Sequence, residues 1–209
     1  VELQHFQARK RLLEYDDVMN QQREVIYSLR SFALEGGEEP KGEALRMVER
    51  ALRARVEAAL AEYEMAEDWD IPLIQQDLLM HYLLAVPEFD TPDLRPTNVA
   101  DAVQAAVEAG RKAFAAKYES LEQFKDDHGG YADRLLSLVM LNVLDEKWKD
   151  HLYDLDQLRN SIHYRSWGQV DPLVEYKQEA YKMFVDLMND IYNTFAEGFL
   201  KVQLVFEPP

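Results

Sequence analysis

The sequence predicts an all-α fold with a long first helix, a smaller group of helices after it, and a long antiparallel helical hairpin at the end. Apolar residues recur at steps of three or four through most of the 209 residues, which is the spacing of one helix face. No alternation of apolar and polar residues is long enough to predict a strand. The helical spacing is interrupted at glycine and proline, the residues that end or begin helices.

The first helix is predicted over residues 1–34. Gln22 occupies a position that would otherwise complete its apolar stripe, so the apolar face contains one polar gap. Asp16, Asn20 and Arg23 follow at i, i+4 and i+7 on one side. They form either a solvated face with an ion pair or a polar contact to a neighbouring domain. The first 32 residues hold five acids and five bases, and this balance suits a helix that touches protein on several sides.

Glycine and proline interrupt the pattern after this helix. Gly36-Gly37 and Pro40 break it, and apolar residues at helical spacing resume near Glu43 and continue to Tyr63. A third helix is predicted to begin at Asp70-Ile71-Pro72, because proline fits the first helical position.

An acidic loop and a fourth helix complete the middle of the chain. Residues 87–96 contain three prolines and several acids, which is typical of a loop. Thr97 is expected to cap the fourth helix, which should end by His128-Gly129-Gly130. Residues 33–130 hold 21 acids and 10 bases, a composition that suits a peripheral, well-solvated module.

Residues 131–205 organise the chain as one long helical hairpin. The helical spacing meets no Gly or Pro before Gly168, so the first arm is predicted over 131–165 and is about 50 Å long at ~1.5 Å per residue. Asp171 is a good N-cap for the second arm, and Pro172 fits its first position. Two long amphipathic helices joined by a short turn pack antiparallel.

The turn between the two arms carries two large aromatic residues, Tyr164 and Trp167. Residues at a turn are usually small and polar, so this tip requires an explanation. The rings either contact another molecule or fold back and pack on their own hairpin.

Composition argues against several classes of function. The formal charge of −16 and the lack of a basic stripe argue against nucleic acid, since a phosphate backbone requires positive charge. Without cysteine, the chain has neither disulfides nor thiolate chemistry. No stretch approaches the ~18 consecutive apolar residues of a membrane span. Because the sequence opens in a helical pattern at Val1, without Met, we expect a segment of a longer protein.

The motifs of the common catalytic sites are missing from the sequence. It contains no Gly-x-x-x-x-Gly-Lys-Ser/Thr phosphate loop and no His-Glu-x-x-His zinc motif. His151, with Asp150 and Asp154 nearby, is expected to make a cap or an interhelical hydrogen bond rather than to bind a metal. We therefore predict no catalytic residue, metal or cofactor in this chain. A helical enzyme with a metal or carboxylate site is the weaker alternative.

Three groups of residues resemble the SecA preprotein translocase family. The first resembles the start of the SecA helical scaffold and consists of Arg9 to Val18 with Asn20, Gln22 and Arg23. The second, Trp69-Asp70-Ile71-Pro72, resembles a motif of the SecA helical wing. The third resembles the SecA two-helix finger in order and spacing: Leu144-Asp145, Trp148-Lys149, His151-Leu152, Leu158-Arg159, Ile162-His163, Arg165, Gln169, Asp171-Pro172 and Glu175-Tyr176-Lys177.

The resemblance covers essentially the whole chain and implies how it is divided. It assigns residues 1–62 to the first part of the helical scaffold and 63–130 to the helical wing. Residues 131–205 become the second part of the scaffold with the two-helix finger, and 206–209 a tail. The resemblance also implies that the first helix docks the nucleotide-binding and preprotein-crosslinking domains, while the finger enters the SecY channel.

The resemblance implies contacts at two places. The finger tip is expected to touch the translocating polypeptide and the channel through Trp167, Tyr164, Arg165 and Gln169. The family commonly has tyrosine at the position of Trp167, and an aromatic ring is kept here. Such a ring offers apolar area and an N–H with little rotamer entropy to lose, which suits a polypeptide of varied sequence. Coupling to the nucleotide-binding domains is expected through Asp16, Asn20 and Arg23.

For the full-length protein, the resemblance implies ATP-dependent export of preproteins, with ATP and Mg²⁺ bound by domains outside this chain. The implied partners are the SecY channel complex, preproteins, other domains of the same chain and a possible second copy in a homodimer. The implied location is the cytoplasm and the cytoplasmic face of the bacterial inner membrane. An acidic helical interaction module without a motor role is the alternative function.

Overall fold

The structure is a computed structural model that describes residues 2–35, 38–126, 129–165 and 171–203. The all-α prediction is confirmed over these residues, which form seven α-helices, two 3₁₀ turns and one short strand pair. The helices are α1 (Glu2–Glu35), α2 (Glu38–Leu60), α3 (Ile71–Tyr82), α4 (Pro87–Asp90), α5 (Val99–Glu122), α6 (Tyr131–Arg165) and α7 (Pro172–Lys201). The 3₁₀ turns are Ala66–Asp68 and Pro92–Leu94, and the antiparallel strands are β1 (Lys125–Asp126) and β2 (Gly129–Gly130).

Two helix beginnings differ from the sequence prediction. Helix α2 begins at Glu38 rather than near Glu43, because Pro40 lies in its first turn, where a missing N–H breaks no intrahelical bond. Helix α5 is capped by Asn98 rather than Thr97, and the Asn98 side chain accepts a hydrogen bond from the backbone N–H of Asp101 at 2.9 Å.

The predicted loop and the end of the fourth helix also differ in detail. Residues 87–96 contain α4 and a 3₁₀ turn rather than only loop. Helix α5 already ends at Glu122, and the chain then forms the two-residue strand pair before α6. Ladders this short leave no alternating pattern in a sequence, so period-2 analysis does not detect them.

Helices α6 and α7 form the predicted antiparallel hairpin. Lys147 on α6 pairs with Asp190 on α7 at 2.8 Å, whereas Ile162, nearer the turn, packs in one cluster with Tyr176. The start of the second arm is also confirmed, since the Asp171 side chain accepts a hydrogen bond from Leu173 N–H at 2.9 Å. The two arms therefore run side by side in opposite directions up to the tip.

Buried apolar residues form two clusters. The larger, here called the main core, joins α2, α3 and α5 to the base of the hairpin and to the second half of α1. Its aromatic centre lies where Phe114 meets Phe199, with ring centroids 5.1 Å apart. The smaller, here called the distal cluster, lies between α1 and the outer half of the hairpin: Tyr15, Leu155, Leu158, Ile162, Tyr176 and Ala180.

Helix α3 is held against both α2 and α7. Arg55 on α2 donates two hydrogen bonds to Asp77, at 2.6 and 2.7 Å, and these bonds hold the pKa of the Asp77 carboxyl below its ordinary value. Tyr82 donates to Asn193 on α7, and burial raises the pKa of the Tyr82 hydroxyl to about 12. The proposed division into scaffold and wing at residues 62 and 130 remains a prediction.

Leu83, which ends α3, is a non-glycine residue in the left-handed region, with φ of 53°. Its side chain is 55% exposed, so it contributes little packing. Replacing Leu83 with glycine should raise the free energy of unfolding by about 0.5–1 kcal/mol, because glycine adopts this conformation without the Cβ clash. Urea unfolding of the 209-residue chain measures the change. The control variant Leu79→Gly, at an exposed position inside the same helix, should instead lower the free energy of unfolding by about 1 kcal/mol. A lower free energy of unfolding in Leu83→Gly would contradict the strain argument.

Candidate functional site: the junction of α1 with the hairpin

Helix α1 lies along the side of the hairpin. Arg30 on α1 pairs with Asp145, just before the middle of α6, at 3.4 Å, and Asp16 pairs with Arg159, nearer the tip, at 3.3 Å. Low numbers on α1 thus meet high numbers on α6, so these two helices are antiparallel. Both pairs are partly exposed and contribute at most about 1 kcal/mol each. These two ion pairs show the register in which α1 packs against α6.

A buried chain of hydrogen bonds joins α1, α6 and α7 between these two ion pairs. His151 on α6 lies 2.8 Å from Oε1 of Gln22, through its Nε2. Gln22 donates from its own Nε2 to the backbone carbonyl of Ala180 on α7 at 3.0 Å. The side chains are only 5% exposed for His151 and 7% for Gln22. We call the Gln22 and His151 side chains and the Ala180 carbonyl the polar layer.

The geometry fixes the protonation of the polar layer. A backbone carbonyl only accepts, so the NH₂ group of Gln22 faces Ala180 and its Oε1 faces His151. Nε2 of His151 must therefore carry the proton that it donates. Burial lowers the pKa of His151, and the charge of Asp154 opposes this only in part. The imidazole in the layer is neutral near pH 7, and the interhelical hydrogen bond expected for His151 from the sequence is confirmed.

Aromatic packing holds the outer part of the junction. The rings of Tyr15 on α1 and Tyr176 on α7 are 4.8 Å apart at an angle of 59°. The guanidinium of Arg159 lies 5.6 Å from the centroid of the Tyr15 ring, a cation–π distance. Burial also raises the pKa of the Tyr176 hydroxyl. Helix α1 therefore contacts the hairpin on both sides of the polar layer, through Tyr15 on the outer side and through Arg30 on the inner side.

The three coupling residues predicted on α1 lie in different surroundings. Asp16 reaches the hairpin through Arg159. Arg23 donates to the sulfur of Met19 on its own helix at 3.9 Å, and Asn20 is exposed. The structure therefore brings Asp16 to the hairpin but not Asn20 or Arg23, and a coupling role for the three remains a prediction.

The side chains of all four predicted tip residues lie outside the described part of the chain. Trp167 and Gln169 lie outside the described residues. Tyr164 and Arg165 are the last two residues of α6, but their side chains also lie outside the described part. The predicted contact of the tip with a polypeptide therefore remains a prediction.

The pairing of Gln22 with His151 is not predicted from the sequence. The sequence shows Gln22 as a polar gap in an apolar stripe and His151 as a candidate for an interhelical hydrogen bond, and only the structure joins the two. One feature could have suggested the pairing. Among the described residues, Gln22 is the one strongly polar side chain at a buried position of α1, and His151 is the one at a buried position of α6. Two such residues on neighbouring helices satisfy each other because a buried polar group requires a partner.

The described residues show neither a metal cluster nor a membrane-spanning helix. No three His, Cys, Asp or Glu side chains in that part are placed so as to hold a metal ion. None of the helices within it combines the length and apolar character that crossing a bilayer requires.

The neutral state of His151 predicts a pH dependence of stability. In the unfolded chain His151 binds a proton below about pH 6.5. In the folded chain it binds a proton only at lower pH, because its pKa is lowered, so protonation of His151 favours the unfolded state. The stabilising contribution is complete above pH 6.5 and decreases as pH falls towards the lowered pKa of the folded state, by up to about 1.4 kcal/mol per pH unit. Urea unfolding at pH 7.5 and 5.5 should show a smaller loss for His151→Gln than for the wild type. Equal losses would show that His151 does not carry this effect.

The fold and the junction together define an all-α scaffold protein in which one long helix braces a long helical hairpin. Comparison with known families identifies which scaffold this is. The chain belongs to the SecA wing and scaffold domain family, whose model matches residues 1–203. The resemblance seen in the sequence is thereby confirmed.

Individual relatives agree with this assignment. Protein translocase subunit SecA 1 of Mycobacterium tuberculosis (strain ATCC 25618 / H37Rv) is 38% identical over 209 residues, which cover 96% of this chain and 21% of that protein. Protein translocase subunit SecA of Syntrophomonas wolfei is 34% identical over 213 residues, which cover 100% of this chain and 24% of the relative. The chain spans about a fifth of the length of the relatives that it matches.

Proposed function

We propose that this chain is the scaffold, wing and channel-inserting finger of a SecA motor, which drives ATP-dependent export of preproteins through the SecY channel. The observation that carries the proposal is the hairpin braced by α1, in a chain that matches the SecA wing and scaffold family over residues 1–203. The relatives are named protein translocase subunits, which supports a role in translocation.

The hairpin supplies the reach that a finger requires. Helix α6 has 35 residues and is therefore about 50 Å long at ~1.5 Å per residue. The distal cluster packs its outer half against α7 and α1, which stiffens it. We propose that Trp167, Tyr164, Arg165 and Gln169 at the tip contact the translocating polypeptide and the channel.

Helix α1 supplies the connection to the rest of the motor. Several of its large apolar side chains are exposed although the opposite face is buried, among them Leu13 at 63% and Leu34 at 67%. Exposed apolar surface of this kind suits contact with protein. We propose that other domains of the full-length chain, including the nucleotide-binding domains, dock on α1 near Asp16, Asn20 and Arg23.

The remaining partners and cofactors belong to the same proposal. ATP and Mg²⁺ would be bound by domains outside this chain, and preproteins and the SecY channel complex would be the partners of the finger. The protein would act in the cytoplasm and at the cytoplasmic face of the bacterial inner membrane. A second copy of the same protein, forming a homodimer, is a further proposed partner. Nucleic acid is not expected as a partner, given the formal charge of −16.

A reconstituted translocation assay tests the proposal. The full-length protein containing this chain is added, with ATP and a preprotein, to vesicles that carry the SecY complex of the same organism. We expect preprotein to become protected from external protease only when ATP is present. An acidic interaction module without a motor role predicts no ATP-dependent protection, and that result would reject the proposed function.

A further inference from the structure

The polar layer divides the apolar contact between α1 and the hairpin into two parts. On α1, Gln22 lies between Met19, which packs against the distal cluster, and Ile26 of the main core. On α6, His151 lies between Trp148 of the main core and Leu155 of the distal cluster. The layer is therefore one polar level between two apolar levels.

Apolar packing alone does not determine how α1 is placed along the hairpin. The stripes of both helices repeat at steps of three or four, so a shift of one turn, about 5.4 Å, again places apolar residues opposite apolar residues. In the shifted register Gln22 and His151 no longer face each other. Each would then bury polar atoms without a hydrogen-bond partner, which costs free energy. The observed register is the one in which both are satisfied.

We infer that the polar layer fixes the axial register of α1 against the hairpin, and that Gln22 and His151 are positioning residues which make the finger follow movements of α1. The second part of this inference rests on the proposed function of the hairpin as a finger. Buried polar side chains set the register of coiled coils in the same way, at some cost in stability. Neither residue needs to touch the preprotein or the channel.

A double variant separates register from stability. Gln22→Leu with His151→Leu makes the layer apolar and leaves no unpaired polar group, so the helices should still pack. His151→Gln is the conservative control, because its amide N–H can still donate to Gln22 Oε1. The single variant His151→Leu, by contrast, leaves Gln22 Oε1 unsatisfied and is expected to be the least stable.

The register can be measured directly in the full-length protein. This chain has no cysteine, so Glu24 on α1 and Asn142 on α6, both exposed, can be replaced by cysteine and spin-labelled once any cysteine outside the chain is removed. Labelled protein is diluted with unlabelled protein, and the distance between the labels is measured by pulsed electron paramagnetic resonance. Translocated preprotein per ATP hydrolysed is measured on the same variants.

The wild type and His151→Gln should each give one distance and the same translocation per ATP. The double variant should keep its helix content but show a second distance, displaced by an axial shift of about 5 Å. Its translocation per ATP should fall about twofold or more, as expected when two registers have similar free energies.

Two results would overturn the inference. One is a double variant with a single native distance and native translocation per ATP. The other is a double variant that loses its helix content, because the layer would then serve stability alone. A wild-type protein that fails to translocate would reject the proposed function instead, and the distance measurements would still decide whether the layer fixes the register.

Discussion

Replacing Phe199 with alanine is expected to lower the free energy of unfolding by about 3–5 kcal/mol, the range for deleting a fully buried aromatic side chain. Phe199 is 0% exposed and lies between Phe114 on α5, at 5.1 Å, and Phe195 one turn earlier on α7, at 5.8 Å. The cavity would open where the base of the hairpin meets the middle helices. Collapse around the cavity is limited, because Phe114 and Phe195, which contact Phe199, are themselves at most 2% exposed and are packed on their other sides.

Tyr181→Ala is a matched control for this prediction. It removes an aromatic side chain from the same helix at a position that is 68% exposed, so the change in stability should stay within about 0.5 kcal/mol. Urea unfolding of both variants, followed by circular dichroism, gives the two values. Similar losses in Phe199→Ala and Tyr181→Ala would show that the main core is not packed as described.

Replacing Trp167 with glycine should reduce preprotein translocation by about tenfold, the rate equivalent of ~1.4 kcal/mol of lost contact. If the tip grips the polypeptide through an aromatic ring, removing the ring removes most of the contact area available there. Helix content should not change, because α6 ends at Arg165 and α7 begins at Pro172 with its own cap at Asp171. Translocation into vesicles and circular dichroism measure the two quantities.

Two control variants sharpen the test of the tip. Trp167→Tyr keeps an aromatic ring and should translocate within about twofold of the wild type. Tyr153→Ala removes an aromatic side chain from α6 at a position that is 66% exposed and far from the tip, and it should have little effect. If Trp167→Gly translocates as well as the wild type, the ring is not the gripping element.

The sequence predicted the long helices well for a physical reason. Helix α6 has the bounds 131–165 that its spacing predicts, because no Gly or Pro interrupts its stripe. Helix α7 begins as expected at Pro172, where an N-cap and a proline coincide. The sequence pattern places the start of α2 too late, because Pro40 reads as a break in the pattern although the first turn of a helix tolerates proline. The bounds of these helices therefore follow from residues close in sequence. The error at the start of α2 arises because proline can either break a helix or lie in its first turn.

The junction was only half predictable. The polar gap at Gln22 is visible in the sequence because it interrupts a stripe, but the residue that satisfies it is 129 positions away. The pairing of Asp16 with Arg159 is equally non-local, and spacing along one helix carries no information about the partner helix. Which helices meet, and in which register, depends on tertiary packing. The resemblance to SecA supplied the hairpin as a functional unit, and the structure supplied the contacts that brace it.

The most direct test of the proposed finger is a crosslink from its tip. A single cysteine is placed at Trp167 in the full-length protein, with any cysteine outside this chain replaced, and a preprotein with one cysteine is stalled in the SecY channel. We expect a disulfide crosslink from position 167 to the preprotein or to the channel, with a yield that changes between ATP and ADP. Crosslinks confined to the protein's own helices would contradict the account and would make Trp167 a structural residue of the hairpin.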